Sequence, residues 1–144
     1  MKQSPVLLSI IIVSYNTREL LEKCLDSVIK SLSRHPDPAK GGAGGQDLPT
    51  EIIVVDNHSQ DNTVGWLKKY IRTSAKIRSK IGVNLSLIAN NDNLGFAKAN
   101  NQGLKVARGK YILLLNSDTI VKDGALEKMV SEFKSRIYFP RATF

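Results

Sequence analysis

The sequence predicts a single α/β domain over residues 1–144, with a mainly parallel sheet. Its length and ordinary proportions of hydrophobic (42%) and charged (24%) residues suit one globular domain with its own core. Short runs rich in Ile, Val and Leu alternate with segments whose apolar residues recur every three or four positions. Such alternation is typical of a parallel sheet with right-handed crossovers. Polar clusters directly follow several of the apolar runs.

Four strands are predicted at residues 7–13, 51–55, 83–88 and 111–115. Each run is short and apolar at most positions, which is typical of strands covered on both faces. The first run could be mistaken for the core of a signal peptide. It is preceded by a single Lys2, lacks a small-residue cleavage site and leads into a helix-start pattern, so we interpret it as a strand.

Four helices are predicted between and after these strands. The first carries one apolar stripe, formed by Leu20, Leu21, Cys24, Leu25, Val28, Ile29 and Leu32. Asn16 is expected to cap it, with Glu19 three residues later as in a capping box. The second covers 63–72, and a fourth begins near residue 123 with Leu126, Met129, Val130 and Phe133. The third covers 96–107, with Phe96, Ala99, Asn100, Gly103, Leu104 and Ala107 on one side.

Residues 34–50 interrupt the alternation. This stretch is rich in Pro and Gly and has no apolar period, so it is predicted to be a flexible surface insertion. Its glycines follow no strand, open no helix and lack the G-x-G-x-x-G spacing of a dinucleotide site.

The net charge of +8 is unevenly distributed, since no acidic residue lies between Asp61 and Asp92. A solvated helix face is the ordinary interpretation. Attraction to a polyanion is the functional alternative, and the polyanion could be a nucleic acid, an anionic membrane surface or a phosphorylated substrate. Nucleic acid is the weaker of these and is not the expected partner, because there is little aromatic interleaving and neither zinc-finger spacing nor an RNA-binding signature. The interval contains Lys68, Lys69, Arg72, Lys76, Arg78 and Lys80.

Polar clusters after the first, second and fourth strands point to a ligand site. They are Ser14-Tyr15-Asn16, the segment from Asp56 to Asp61, and Asn116-Ser117-Asp118. Ligands of open parallel sheets bind outside the carboxyl ends of the strands, near helix amino termini. One carboxylate there can accept hydrogen bonds from a base or ribose, and another can hold a hard divalent cation with a diphosphate. The residues alone thus predict a nucleotide-diphosphate site with a metal, and no nucleophile or general base is evident.

Four ordered segments together resemble family 2 glycosyltransferases. They are SIIIVSYNTRELLEKCLDSV, EIIVVDNHSQDNT, NNDNLGFAKANNQGL and GKYILLLNSDT. The resemblance implies an inverting, nucleotide-sugar-dependent transferase with the Rossmann-like GT-A fold, a three-layer α/β/α sandwich of which this chain would be the nucleotide-binding half. It also implies a UDP-, dTDP- or GDP-linked donor, a glycan or lipid-linked acceptor, and a role in cell-surface polysaccharide biosynthesis.

The resemblance also implies a role for each matching residue. Ser14, Tyr15 and Asn16 would lie against the nucleotide. Asp56, with Asn57 beside it, would meet the base. Asn93, Gly95 and Phe96 would approach the donor from the turn before the third helix, and Asn116 would face the ribose or the metal shell. Asp118, in the D-x-D-like motif, would bind Mg²⁺ or Mn²⁺.

The sequence departs from the family pattern in two ways. Asn116 replaces the first Asp of D-x-D, a form that resembles the branch containing rhamnosyltransferases. In the family, the acceptor half and the catalytic base follow this motif, whereas this chain ends at Phe144. We therefore expect the catalytic base and the acceptor half to be missing, and exposed apolar surface to favour self-association.

Two other function classes compete with the enzyme. One is a non-catalytic module that binds a nucleotide or a partner. The other is a basic protein that binds membrane surfaces or nucleic acid through residues 68–80. We expect a cytoplasmic location, where nucleotide sugars are found, with peripheral contact at the inner membrane face.

Overall fold

The computed structural model describes residues 5–33 and 48–136, and this part of the chain forms one parallel sheet with helices on both faces. The predicted α/β class is confirmed. Along the chain the elements are β1 (Leu8–Ser14), α1 (Arg18–Ser33), β2 (Thr50–Asp56), α2 (Thr63–Thr73), α3 (Ala75–Lys80), β3 (Val83–Ala89), α4 (Phe96–Val106), β4 (Tyr111–Asn116) and α5 (Ala125–Arg136).

The described strands lie in the order β3-β2-β1-β4, and every neighbouring pair is parallel. The chain adds strands in one direction from β1 to β3 and then crosses back to place β4 on the other side of β1. This reversal creates a topological switch point between β1 and β4. The register pairs Ser14 with Asp56, Val13 with Asn116 and Asp56 with Ala89, so the strands end at one edge.

Alternate side chains of the central strands enter two separate cores. Ile10 and Ile12 belong to the larger core, under α1, α2 and α5, whereas Ile11 packs with Ile53, Val55 and Ala99 beneath α4. The two cores and the sheet between them give the three layers that the sequence predicted.

The expectation that all four strands are covered on both faces is wrong for the two edge strands. β1 and β2 are buried along almost their whole length, but burial alternates along β4 and over much of β3. Ile112 and Leu114 of β4 are 46% and 50% exposed. The physical reason is that α4, on the thinner side of the sheet, packs over β1 and β2.

The predicted capping of α1 by Asn16 is also wrong. α1 begins at Arg18, and Thr17 accepts the first helical hydrogen bond, from the Leu21 N–H. The Arg18 N–H donates to Asp61 Oδ2 at 2.9 Å, so the first N–H group of α1 is bonded by the loop after β2. Leu20, predicted to lie in the buried stripe, is 45% exposed.

Two other helices differ from their predicted faces. In α4, Ala99, Asn100 and Gly103 are buried, whereas Phe96, the first residue of the helix, and Leu104 are exposed. In α5, Leu126 and Val130 are buried, whereas Phe133 is 53% exposed. The short helix α3 was not predicted.

The predicted insertion is too long at its carboxyl end. Leu48 packs against the larger core, and Thr50 is the buried first residue of β2. Pro49 O accepts the N–H groups of Leu7 and Leu8, which ties this segment to the start of β1. The rest of the predicted insertion, residues 34–47, lies outside the described residues.

A buried carboxylate joins β1, β2 and the turn before β4 by hydrogen bonds at the amino end of the sheet. Glu51 is 4% exposed, and its Oε1 accepts the Ser9 hydroxyl at 2.6 Å and the Arg108 N–H at 2.5 Å. The Arg108 guanidinium donates to Oε2 at 3.2 and 3.3 Å. Gly109 N–H donates to Ser9 Oγ at 2.8 Å, and a Cβ at Gly109 would lie 2.5 Å from the Ser9 nitrogen. The turn between α4 and β4 therefore requires glycine where it meets β1.

Candidate nucleotide site

The polar clusters at the strand ends converge as the sequence predicted. Asn57 N–H donates to Ser14 O at 2.8 Å, which joins the ends of β1 and β2. Thr17 Oγ1 donates to Ser117 Oγ at 3.1 Å, which joins the loop after β1 to the loop after β4. Three loops thus meet beside the switch point, where open parallel sheets bind ligands.

The loops after β1 and β2 hold each other in place. Asn16 N–H donates to Ser59 Oγ at 2.9 Å, and Asn16 Oδ1 accepts the Gln60 N–H at 2.7 Å. Asn16, His58 and Asn62 have φ values of 53°, 71° and 61°, in the left-handed region that costs non-glycine residues free energy. The cross-loop bonds at Asn16 help to offset that cost, so this rim is a fixed structure.

Asp56 lies at the centre of the convergence and is fully buried at the end of β2. Its Oδ2 accepts the Ser59 N–H at 2.9 Å. Its Oδ1 is buried and has no hydrogen-bond partner within the described residues. Because a buried carboxylate oxygen without a donor is costly, Oδ1 is suited to accept an N–H or O–H group from a ligand.

Asn57 was predicted to bind the donor, and the structure places its side chain within the protein. It is 2% exposed, and both ends of its amide are bonded to the segment between β3 and α4. In that segment Gly95 has φ 84°, and Phe96, the first residue of α4, is 60% exposed. Asn93 is exposed, but its Oδ1 accepts from Asn57 Nδ2 at 2.7 Å and from Gly95 N at 2.9 Å.

The D-x-D-like segment presents two exposed side chains, those of Asn116 and Asp118. Ser117 between them is held by Thr17, and Tyr15, also at this edge, is 48% exposed. Over residues 5–33 and 48–136, no three His, Cys, Asp or Glu side chains form a metal-binding group. One carboxylate and one carboxamide fit a hard cation only when the ligand supplies most of the oxygens, as a diphosphate does.

Cys24 lies behind this segment in the larger core, as predicted. Its S–H group donates to Asn116 O at 3.6 Å. Burial, together with the negative charge of Asp118, raises the pKa of Cys24 to about 11. The thiol therefore stays protonated at neutral pH and is unsuited to act as a nucleophile.

A separate concavity of about 540 Å³ lies along the outer side of α4. Neither Asp56 nor Asp118 lines it. Its walls are formed by Leu94, Lys98, Asn101, Gln102, Leu104 and Lys105. The strand-end site is thus an open rim, and this concavity adjoins it at Leu94.

Several residues that build the site had no predicted role. They act through long-range bonds, for which a local sequence pattern gives no signal. Ser59, Gln60 and Asp61 were noted only as members of a polar cluster. Thr17, Asn90 and Gln102 resemble ordinary loop or helix-surface residues. The residues in question are Thr17, Ser59, Gln60, Asp61, Asn90 and Gln102.

An open parallel sheet with polar loops at its switch point defines an α/β domain whose ligand site lies at the carboxyl edge of the strands. The sequence profile described as glycosyl transferase family 2 matches residues 9–138. The chain therefore belongs to glycosyl transferase family 2, as the resemblance implied.

Two of the curated relatives illustrate the match, and both are glycosyltransferases by name. The chain is 25% identical to the glycosyltransferase GlyG of Streptococcus pneumoniae over 130 residues, which is 90% of this chain and 36% of GlyG. It is 30% identical to TuaG of Bacillus subtilis, a putative teichuronic acid biosynthesis glycosyltransferase, over 90% of this chain and 43% of TuaG. The matched part of the chain thus covers under half the length of each of these relatives.

Solved structures confirm the GT-A fold. The chain of S. aureus TarS 1–349 in complex with UDP-GlcNAc matches with a TM-score of 0.65 and 24% identity, over 90% of this chain and 31% of that one. The mannosyltransferase PcManGT of Pyrobaculum calidifontis, in complex with GDP-Man and Mn²⁺, matches with a TM-score of 0.67 and 22% identity. That match covers 96% of this chain and 34% of PcManGT.

Proposed function

We propose that this chain is the donor-binding part of a glycosyltransferase that moves a sugar from a nucleoside diphosphate to an acceptor hydroxyl with inversion. Membership of the family and the arrangement of the loops support the proposal. The names of relatives such as TuaG favour a glycan or lipid-linked acceptor in cell-surface polysaccharide synthesis. The base of the donor nucleotide is one of uracil, thymine and guanine in this proposal.

The observation that carries the proposal is the buried Oδ1 of Asp56, which has no hydrogen-bond partner in residues 5–33 and 48–136. Uracil, thymine and guanine each carry a ring N–H that can donate to a carboxylate. The Ser59 N–H fixes the other oxygen, so Asp56 is oriented before the ligand arrives. A charge-assisted hydrogen bond of this kind contributes about 1.5–3 kcal/mol.

The remaining rim residues would surround the rest of the donor. Tyr15 and Asn16 would lie against the nucleoside, and Asn116 would face the ribose. The acceptor hydroxyl would attack the anomeric carbon from the side opposite the diphosphate, which gives inversion. A base would take the hydroxyl proton, and we assign no residue of this chain to that step.

Asp118 would hold the divalent cation, Mg²⁺ or Mn²⁺, with Asn116 beside it. The ion supplies charge stabilisation for the leaving diphosphate when it is bound. Nucleotide and metal must bind together, because the single carboxylate of Asp118 gives too few oxygen ligands for either ion.

Calorimetry with UDP, dTDP and GDP, each with and without Mg²⁺ or Mn²⁺, tests the proposal. We expect one nucleotide to bind only with metal, Asp118→Ala to abolish that binding, and Asp56→Asn to weaken it by about 10- to 100-fold. Glu132→Gln removes one charge from the exposed face of α5 and is the matched control. No heat with any nucleotide would contradict the donor site, and binding that persists in Asp118→Ala would contradict the assignment of the metal ligand.

The basic face of α2 and α3 supports a peripheral location at the cytoplasmic membrane face. Hydrogen bonds from Ser74 N to Tyr70 O and from Arg78 N to Ser74 O carry helical bonding across the junction of the two helices. Arg78 turns inward, to Ile71 O and Ser74 Oγ, but the other five cations of this interval are exposed. They follow the helical period and lie on the side opposite buried Leu67, and Ile77 beside them is 56% exposed.

Co-sedimentation with vesicles tests this location. We expect binding to phosphatidylglycerol vesicles that weakens as salt rises, and none to phosphatidylcholine vesicles. The Lys69→Glu/Lys76→Glu variant should lose binding, while Lys98→Glu/Lys105→Glu, with the same charge change on α4, should keep it. Equal loss in both variants would contradict a site on α2 and α3.

Within the described residues, no helix is long and apolar enough to span a bilayer.

Self-association through β4 follows from its exposed edge. Ile112 and Leu114 present apolar side chains on a strand with no neighbour on its outer side within the described sheet. Sedimentation velocity should show oligomers of the wild-type chain and more monomer for Leu114→Lys. A wild-type chain that stays monomeric at high concentration would contradict this interface.

A further inference from the structure

Four side-chain amides form a connected cluster behind the candidate nucleotide site. We call this cluster, which consists of Asn57, Asn90, Asn93 and Gln102, the amide network. Its members come from the end of β2, the segment after β3 and the second turn of α4. The network does not include Asp56 or Asp118, and the resemblance gave no role to Asn90 or Gln102.

Asn57 is the centre of the amide network. Its Oδ1 accepts the Leu94 N–H at 3.0 Å and Asn90 Nδ2 at 3.2 Å. Its Nδ2 donates to Asn93 Oδ1 at 2.7 Å. Because the side chain is 2% exposed and both its oxygen and its nitrogen are already bonded, it has little capacity left for a ligand.

Asn90 and Gln102 connect the network to α4. Asn90 Nδ2 donates to Gln102 Oε1 at 2.8 Å, and Gln102 Nε2 donates back to Asn90 Oδ1 at 2.8 Å. The Asn90 N–H also donates to Asp56 O at 2.9 Å. The helix is therefore fixed to the backbone of the residue whose carboxylate faces the proposed base.

Residues 93–96, which we call the donor turn, are held by this network. Side-chain oxygens of Asn57 and Asn93 accept the N–H groups of Leu94 and Gly95, and Gly95 has a φ of 84°. In contrast, Leu94, Gly95 and Phe96 are all exposed, so packing contributes little to the shape of the turn. Side-chain amides, more than a hydrophobic contact, fix this part of the rim.

From these contacts we infer that Asn57 and Gln102 are positioning residues: they hold the donor turn in its binding conformation and raise nucleotide affinity without touching the nucleotide. The inference rests on the proposed function and gives Asn57 a positioning role in place of the direct donor contact that the resemblance implied. If the donor turn adopts its binding conformation only part of the time, the apparent affinity for the nucleotide falls in proportion to that fraction.

Hydrogen exchange and calorimetry on the same variants test the inference. Asn57→Ala removes the acceptor of the Leu94 N–H and the donor to Asn93 Oδ1. Gln102→Ala removes the reciprocal pair on a partly exposed helix position, so it should fold even if Asn57→Ala does not. We expect faster exchange of the Leu94 and Gly95 amides and a roughly three- to tenfold loss of nucleotide affinity in both variants. Lys98→Ala, on the same helix outside the network, should change neither.

Each of the two measurements has a result that would refute part of the inference. Unchanged exchange at Leu94 and Gly95 in a folded variant would show that the network does not hold the turn. Faster exchange with unchanged affinity would show that the shape of the turn does not matter for binding. Absence of nucleotide binding by the wild-type chain would overturn the proposed function and the affinity claim together. In that case the exchange measurements would still decide whether the amides fix the turn.

Discussion

Replacing Glu51 by Ala should destabilise the fold far more than removing its ion-pair partner. Truncation leaves the Arg108 N–H without an acceptor and the buried Ser9 hydroxyl without one of its two partners, since Ser9 still accepts from Gly109. Each buried group left unsatisfied costs about 1–3 kcal/mol, so we expect a loss of about 3 kcal/mol. That loss is a large share of the roughly 5–15 kcal/mol that stabilises a domain.

The Arg108 side chain should matter much less, because it is 61% exposed. Solvent screens such a pair, so Arg108→Ala is expected to cost under about 1 kcal/mol. Urea unfolding followed by the fluorescence of Trp66, the single tryptophan, measures both variants. Glu132→Ala, at an exposed pair on α5, is the matched control. A loss below about 1 kcal/mol for Glu51→Ala, or equal losses for Glu51→Ala and Arg108→Ala, would refute the reasoning.

The same carboxylate should make stability depend on pH in the acid range. Burial alone raises the pKa of Glu51, but hydrogen bonds from Ser9 and Arg108 outweigh it and leave the pKa below its ordinary value. A group whose pKa is depressed on folding contributes stability above its unfolded pKa, about 4.3 for Glu. That contribution is lost as the pH falls through the folded pKa. The gap in unfolding free energy between wild type and Glu51→Gln should therefore shrink below about pH 4.

Two further predictions concern packing. A Cβ at Gly103 would lie 2.5 Å from Cγ2 of buried Ile11, so Gly103→Ala should cost about 1–3 kcal/mol. In Gly65→Ala the new methyl meets only the exposed Asn62 side chain, so this change in α2 should be neutral or stabilise the fold by up to about 1 kcal/mol. Similar urea midpoints for Gly103→Ala and Gly65→Ala would contradict this contrast. Because Cys24 is buried with a pKa raised to about 11, a disulfide reagent at pH 8 should not label it until urea is added, and rapid labelling of the native protein would show that it is accessible.

Much of the fold could be predicted from sequence because the signals for it are local. The Ile- and Val-rich runs match β1 to β4 to within two residues at each end, since such runs suit buried parallel strands. The polar clusters after those runs had to meet at one edge, because parallel strands point the same way. The prediction failed where burial depends on a neighbour. Nothing in the composition of 111–115 showed that α4 would leave one face of β4 exposed.

The sequence by itself determined the parallel α/β class, the family and the edge at which Asp56 and Asp118 would lie, because periodicity and motif order are carried by adjacent residues. Only the tertiary structure decided what each polar side chain does there. It turned Asn57 inward to the donor turn, moved the capping of α1 from Asn16 to Asp61, and left one oxygen of Asp56 without a partner in the part of the chain that the structure describes. The first two of these outcomes depend on bonds between residues more than 30 positions apart, which a linear pattern does not encode.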